Sequence, residues 1–142
     1  MTQKAPRRMS KQQAFQRSIT HLLRQGTAAR DKRGNCVYRF DNGSQILMCA
    51  LGCLIPDSEY APEMESKNAH YLLSAFTFST LPRETGDLFL PHLQSLHDNH
   101  MGDTITTRFV ERVQWFADKF GLNTSFLQRG DLKKIVDGVT PV

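Results

Sequence analysis

Residues 104–120, TITTRFVERVQWFADKF, constrain the fold more than any other stretch. Ile105, Phe109, Val113, Phe116 and Phe120 recur at three- or four-residue intervals, which puts them on one face of a helix. Gly121 follows where a left-handed residue can end it. A stripe this apolar must be covered by other elements of similar kind. Near the N-terminus, Ser10 and Gln13 form a capping-box pair ahead of Phe15, Ile19, Leu22 and Leu23, and Gly26 is placed to stop the helix. NAHYLLSAF reads as a short helix. DLFLPHLQSLHDNH reads as a longer one with Asp87 as cap and Pro91 tolerated in the first turn. Its spaced residues are Phe89, Leu93, Leu96 and His100, with His97 beside them. After Asn123 or Thr124 a last short helix is expected, interrupted by Gly130.

One segment breaks the helical pattern. CVYRF and QILMC flank the Asn-Gly turn signal of DNGS, which predicts a β-hairpin at about residues 36–49. Cys36, Tyr38 and Phe40 are expected on one of its faces, Val37 and Arg39 on the other. CALGCLI, residues 49–55, then forms a turn or short helix that Pro56 ends, and PDSEYAPEMES is an acidic loop. The fold class expected is mainly α (α+β): a single compact helical domain with one β-hairpin. Its parts are a flexible basic arm over 1–9, the helical domain over 10–122, and a short helix and tail over 123–142. A chain of 142 residues can bury one core without staples. No apolar run reaches the roughly 18–20 residues a bilayer span needs. The basic N-terminus has no apolar stretch behind it, and three cysteines is an odd count, so reduced thiols in a cytoplasm are expected.

Charge is unevenly distributed. Residues 1–33 hold nine Lys or Arg (Lys4, Arg7, Arg8, Lys11, Arg17, Arg24, Arg30, Lys32 and Arg33) against Asp31 alone, a net +8; the remaining 109 residues sum to −4. Such a segment can dock on phosphates or on an acidic protein surface, or can be merely a solvated tail.

Several sets of residues could carry chemistry. Cys36, Cys49, Cys53 and His97 have the ligand types of a structural zinc site, but neither cysteine pair has the C-x2-C spacing such sites favour. Cys49 could be a thiolate nucleophile leading a helical turn, with His97 as base and Asp98 as its orienter. Adjacent helix positions point about 100° apart, which makes Asp98 a poor orienter for His97. His97–Asp98 with His70 upstream and Asp118 or Asp131 downstream could mimic the metal site of HD-type phosphohydrolases. Against all three stands a plainer reading: cysteine packs like a small hydrophobe, and a histidine near a helix C-terminus is favoured by the dipole. Tyr38 and Arg39 could stack bases, and Trp115, one position off the apolar stripe, is expected half exposed and is the first candidate for a partner contact. A small-molecule pocket is a further alternative that no sequence pattern reveals.

The order Cys, Tyr-Arg, Cys-x-x-x-Cys-Leu-Ile-Pro-Asp and Leu-Gln-x-x-His-Asp, over residues 10–122, resembles a family of small uncharacterised proteins of bacteriophages and bacteria. The resemblance implies a phage-type accessory protein in the bacterial host cytoplasm and implies no particular reaction. Stoichiometric binding to an acidic partner, nucleic acid or a host or defence protein, is therefore expected. Arg7, Arg8, Lys11, Arg17, Arg24, Arg30, Lys32 and Arg33 would carry it, with Trp115 as a further contact. The alternative is a Cys/His-dependent enzyme or a zinc module.

Overall fold

A computed structural model describes residues 7–139 and Pro141. Lys4 and most of the expected arm lie outside the described residues. Within the described residues, five α-helices and one antiparallel hairpin enclose a single core: α1 (Lys11–Gln25), β1 (Arg39–Asp41), β2 (Ile46–Met48), α2 (Ala69–Ala75), α3 (Phe89–His100), α4 (Thr107–Phe120) and α5 (Gly130–Asp137). Short 3-10 turns cover Pro62–Met64 and Ser125–Gln128. The mainly helical class with one hairpin stands as read from the sequence.

The helix ends follow local chemistry. Ser10 Oγ accepts from the Gln13 amide at 3.1 Å while Gln13 Oε1 accepts from the Ser10 amide at 2.9 Å, closing the capping box of α1. Gly26 and Gly121 end α1 and α4 in the left-handed region. The two helices meet through stacked Phe15 and Phe116, ring centroids 5.4 Å apart. Phe89 of α3 lies against Phe116 and edge-on to Phe120. Phe126, Leu127 and Leu132 of the C-terminal segment belong to the same core, and α5 packs on α1.

The hairpin is shorter than expected. Its ladder pairs Arg39 with Met48, Phe40 with Leu47 and Asp41 with Ile46, while Cys36 forms an isolated bridge with Arg30. The limit lies with a downstream side chain: the Glu65 carboxylate accepts from the backbone N–H groups of Tyr38 (2.9 Å) and Arg39 (3.1 Å), and the Tyr38 donor is thereby withdrawn from pairing with the second strand. Cys36 consequently stands exposed and apart from buried Tyr38, although strand alternation would put the two on one face.

The turn after β2 is the keystone. Cys49, Ala50 and Leu51 are wholly buried. Ser18 of α1 donates to Ala50 O at 3.0 Å, and Gln94 of α3 accepts from Leu51 N at 3.0 Å. Gln25 of α1 clamps Met48 by donating to its carbonyl (3.0 Å) and accepting from its amide (2.9 Å). Small side chains in CALGC permit this three-way approach, so Cys49 and Cys53 act as compact packing residues.

Carboxylates also hold the exterior. Hydrogen bonding to Lys11, Arg24 and Ser79 respectively holds Asp87, Asp131 and Glu59 below their ordinary values of 3.8, 3.8 and 4.5. A carboxyl lowered on folding stabilises the native state above its unfolded value, and that contribution is lost as pH falls through the folded one. The melting temperature is therefore expected to hold above about pH 5 and to fall on acidification below about pH 4. A profile flat from about pH 6 to about pH 3 would contradict these assignments.

Candidate functional site

Two surfaces stand out: a cleft beside the hairpin and a groove along α1. The cleft, about 790 Å³, lies between the 31–38 segment, the 66–70 segment leading into α2, and α3. On one wall Cys36, Asp98 and His97 bring their sulfur, carboxylate and ring-nitrogen atoms within 4.8 Å of one another, the only such group of three or more potential metal ligands among the described residues.

Hydrogen bonds fix the state of this group. His97 is completely buried, and its Nε2 accepts from the Ala29 backbone N–H at 2.8 Å. Nδ1 therefore carries the ring hydrogen of the neutral imidazole and donates it to Asp98 Oδ1 at 2.8 Å. Gln94 Nε2 donates to the same oxygen at 2.9 Å while its Oε1 holds Leu51. Contrary to the expectation from angular spacing, these helix neighbours do meet. Nδ1 is the ring nitrogen nearer the backbone, and the short aspartate folds back to reach it.

This arrangement does not suit zinc. Cys49 and Cys53 stand outside the group. Cys49 Sγ accepts from the Gly52 amide at 3.3 Å, and the Cys53 thiol donates to Ala50 O at 3.3 Å. With Nε2 held by a backbone N–H, ligation through Nδ1 would require an imidazolate, since the other nitrogen has no room for a hydrogen. The four-residue set Cys36, Cys49, Cys53 and His97 is not assembled. The HD-type set is not assembled either: His70 lines the cleft, but Asp118 accepts from Gln114 on α4 and Asp131 is held by Arg24.

A thiol nucleophile is equally ill served. Burial pushes the Cys49 and Cys53 thiols up, and neither leads a helix. Cys36 is exposed, yet desolvation, and after it the charge of Asp98, raise its thiol above the ordinary value of 9.0. His97 has both nitrogens committed and makes no bond to a thiol. The expected consequence is measurable. Iodoacetamide should label native protein only at Cys36, more slowly than free cysteine at about pH 8, because the reactive thiolate is populated only at higher pH. Asp98→Asn removes a raising charge and should speed that labelling. Rapid alkylation of Cys49 in the folded state would overturn the packing assignment.

The basic residues divide into two groups. Arg8 donates to the carbonyls of Phe78 (3.1 Å) and Leu81 (2.9 Å), and the Met9 amide donates to Thr80 O, so residues 8–9 are anchored and not a loose arm. Lys11 pairs with Asp87, Arg24 makes a two-point bond to Asp131, and Arg30 donates to Met101 O at 3.0 Å. Arg7, Arg17, Lys32 and Arg33 are exposed and form no ion pair among the described residues. Arg17 and Arg24 line the second surface, a groove of about 710 Å³ between the polar face of α1 and the edge of β2. Gln16, Thr20, His21 and Gln45 join them, exposed Ile46 forms the lip, and among the described residues the lining contains no carboxylate.

Trp115 is 44% exposed, as its position off the stripe suggests, with the Arg112 guanidinium 4.4 Å and the Lys119 ammonium 5.6 Å from its ring centroid. Tyr38 and Arg39 are not available to stack bases. The Tyr38 hydroxyl donates to Lys67 O, and Arg39 lies over Tyr60 while bonding Asp57 at 2.7 Å.

The chain matches no protein-family model, no curated protein and no solved structure. Among the described residues no helix is long and apolar enough to cross a membrane. Sequence reasoning gave no role to Glu65, and Gln94 entered it only as the glutamine of the Leu-Gln-x-x-His-Asp pattern. Only Gln94 carried a signal, its i, i+4 spacing to Asp98 on one helix face.

Proposed function

We propose that this protein acts by stoichiometric binding to an acidic partner, with the α1–β2 groove around Arg17 and the exposed basic side chains Arg7, Lys32 and Arg33 as its contacts. The observation that carries the reading is the carboxylate-free lining of that groove around Arg17. A guanidinium in such surroundings attracts anions without internal competition, while Gln16, Thr20 and Gln45 supply both donors and acceptors. Nucleic acid satisfies both features, phosphates for the guanidinium and sugar or base edges for the amides. An accessory role in a bacterial host cytoplasm, the context expected from the order of the sequence motifs, is proposed with it. No catalytic step is part of this reading: burial raises the thiols, and both nitrogens of the His97 imidazole are committed to hydrogen bonds.

The test uses fluorescence anisotropy of a labelled DNA duplex of about 20 base pairs and the corresponding single strand at low salt. Wild-type protein should bind at least one of them. The triple variant Arg17→Glu, Lys32→Glu, Arg33→Glu should weaken binding by about a hundredfold, since each lost phosphate contact and each new repulsion adds. Tight binding to an acidic protein with no affinity for either DNA would move the assignment to a protein target. Unaltered affinity in Arg17→Glu alone would sink the groove as a contact face, and unaltered affinity in the triple variant would sink the basic segment as the contact.

A further inference from the structure

The cleft beside the hairpin is independent of the groove, and its chemistry points the opposite way. At one wall Asp98 is held by the buried His97–Ala29 relay and by Gln94. Both nitrogen donors land on Oδ1, which leaves Oδ2 without a nitrogen donor among the described residues, and the Cys36 thiol lies within 4.8 Å of the carboxylate. The side chain is 36% exposed there. Its two hydrogen-bond donors, Gln94 and His97, are neutral, so the carboxylate is oriented by them without forming an ion pair with a Lys or Arg among the described residues. Asp31, also lining the cleft, is held by the backbone N–H groups of Arg33 (2.9 Å) and Asn35 (3.0 Å) and likewise makes no ion pair among the described residues. Lys67 on the rim leans over Tyr71, its ammonium 5.2 Å from the ring centroid. Val37, Leu88 and Pro91 add apolar surface.

A second observation singles out the same cleft. Among the described residues only two non-glycine residues have positive φ, Ser66 at 66° and Leu88 at 60°, and both line it. Each such residue costs free energy that the surrounding fold must offset, and such outliers concentrate at ligand sites. Among the described residues three polar side chains are buried, and two of them, Gln94 and His97, hydrogen-bond the Asp98 carboxylate from behind. Buried polar groups, backbone strain and concave shape thus converge on one oriented anion.

We infer that the cleft is a binding site for a small organic cation, an amidinium, guanidinium or alkylammonium, whose charged end sits on Asp98 and whose body lies against Val37. A planar cation with two N–H groups matches a carboxylate better than a point charge does, because it can donate to both oxygens. Water-exposed carboxylates bind such ions weakly. Orientation from behind and apolar walls raise the affinity here by lowering the ordering cost and displacing water.

Benzamidine is the probe, with benzamide as its neutral isostere. Titrations of the full-length protein are read by two-dimensional amide NMR. Benzamidine should shift the amides of residues 36–38, 66–70 and 95–99 with a dissociation constant of about 1 mM or tighter. Benzamide should bind about tenfold more weakly or not at all. In Asp98→Asn, whose amide oxygen can still accept from His97 and Gln94, benzamidine affinity should drop about tenfold while the remaining spectrum stays native. Should that variant fail to fold, the benzamidine-to-benzamide ratio on wild-type protein decides alone. Equal affinity for the two probes, shifts confined elsewhere, or no shifts would overturn the inference, whatever the result with DNA.

Discussion

Gly52→Ala is expected to lower stability by at least about 3 kcal/mol, more than any other single added methyl group should. A Cβ built at Gly52 falls 2.0 Å from the Tyr38 carbonyl oxygen and 2.9 Å from its carbon. Both atoms are backbone, so no rotamer change relieves the overlap. That carbonyl accepts from the Cys49 amide at 3.2 Å, and the Tyr38 and Arg39 amides are fixed by Glu65. To admit the methyl, the 49–55 turn and the 38–39 backbone must separate by roughly an ångström or more, which breaks the turn's seat against α1 and α3. For a domain of this size the loss corresponds to a fall in melting temperature on the order of 10 °C. Gly102→Ala is the matched control. Its Cβ meets nothing within 4 Å and its φ is not positive, so thermal melts should be within about 0.5 kcal/mol of wild type. Equal effects at the two positions would contradict the close packing.

His97→Ala is the second large effect, expected at about 3–5 kcal/mol. The ring is fully buried, and its removal leaves a cavity, an unpaired Ala29 N–H in a fully buried residue, and Asp98 with one donor fewer. The diagnostic readout is hydrogen exchange at the Ala29 amide, which should be slow in wild type and fast in the variant relative to core amides of α4. If His97→Ala retained wild-type stability, the relay would be incidental. The same substitution should loosen Asp98 and weaken benzamidine binding, which links the buried dyad to the cleft.

Both effects sit where tertiary contacts decide the structure, and the sequence is most legible elsewhere. Helices α1 and α4 can be read directly because their caps, stripes and stop glycines lie within one continuous segment, Ser10 to Gly26 and Thr106 to Gly121. The hairpin reads too long from its alternation because its limit is set by Glu65, well beyond both strands, through bonds no local pattern encodes. Charge patterning locates the basic segment but not its intramolecular partners. Arg24 finds Asp131 and Arg8 finds the carbonyls of Phe78 and Leu81, at separations no periodicity spans. The cysteines split for the same reason. Cys49 and Cys53 sit in a small-residue turn whose burial its composition suggests, whereas Cys36 follows a loop whose course depends on tertiary contacts. The His97–Asp98 bond depends on side-chain conformation, which the angular spacing of helix positions does not supply.

The most direct test of anion binding is the salt dependence of DNA affinity for the wild-type protein between about 50 and 300 mM salt, a range in which counterion release is readily resolved. With Arg7, Arg17, Lys32 and Arg33 exposed and outside any ion pair among the described residues, log affinity against log salt should fall with a slope of about −2 to −4. A slope near zero, or no binding even at the lowest salt, contradicts it.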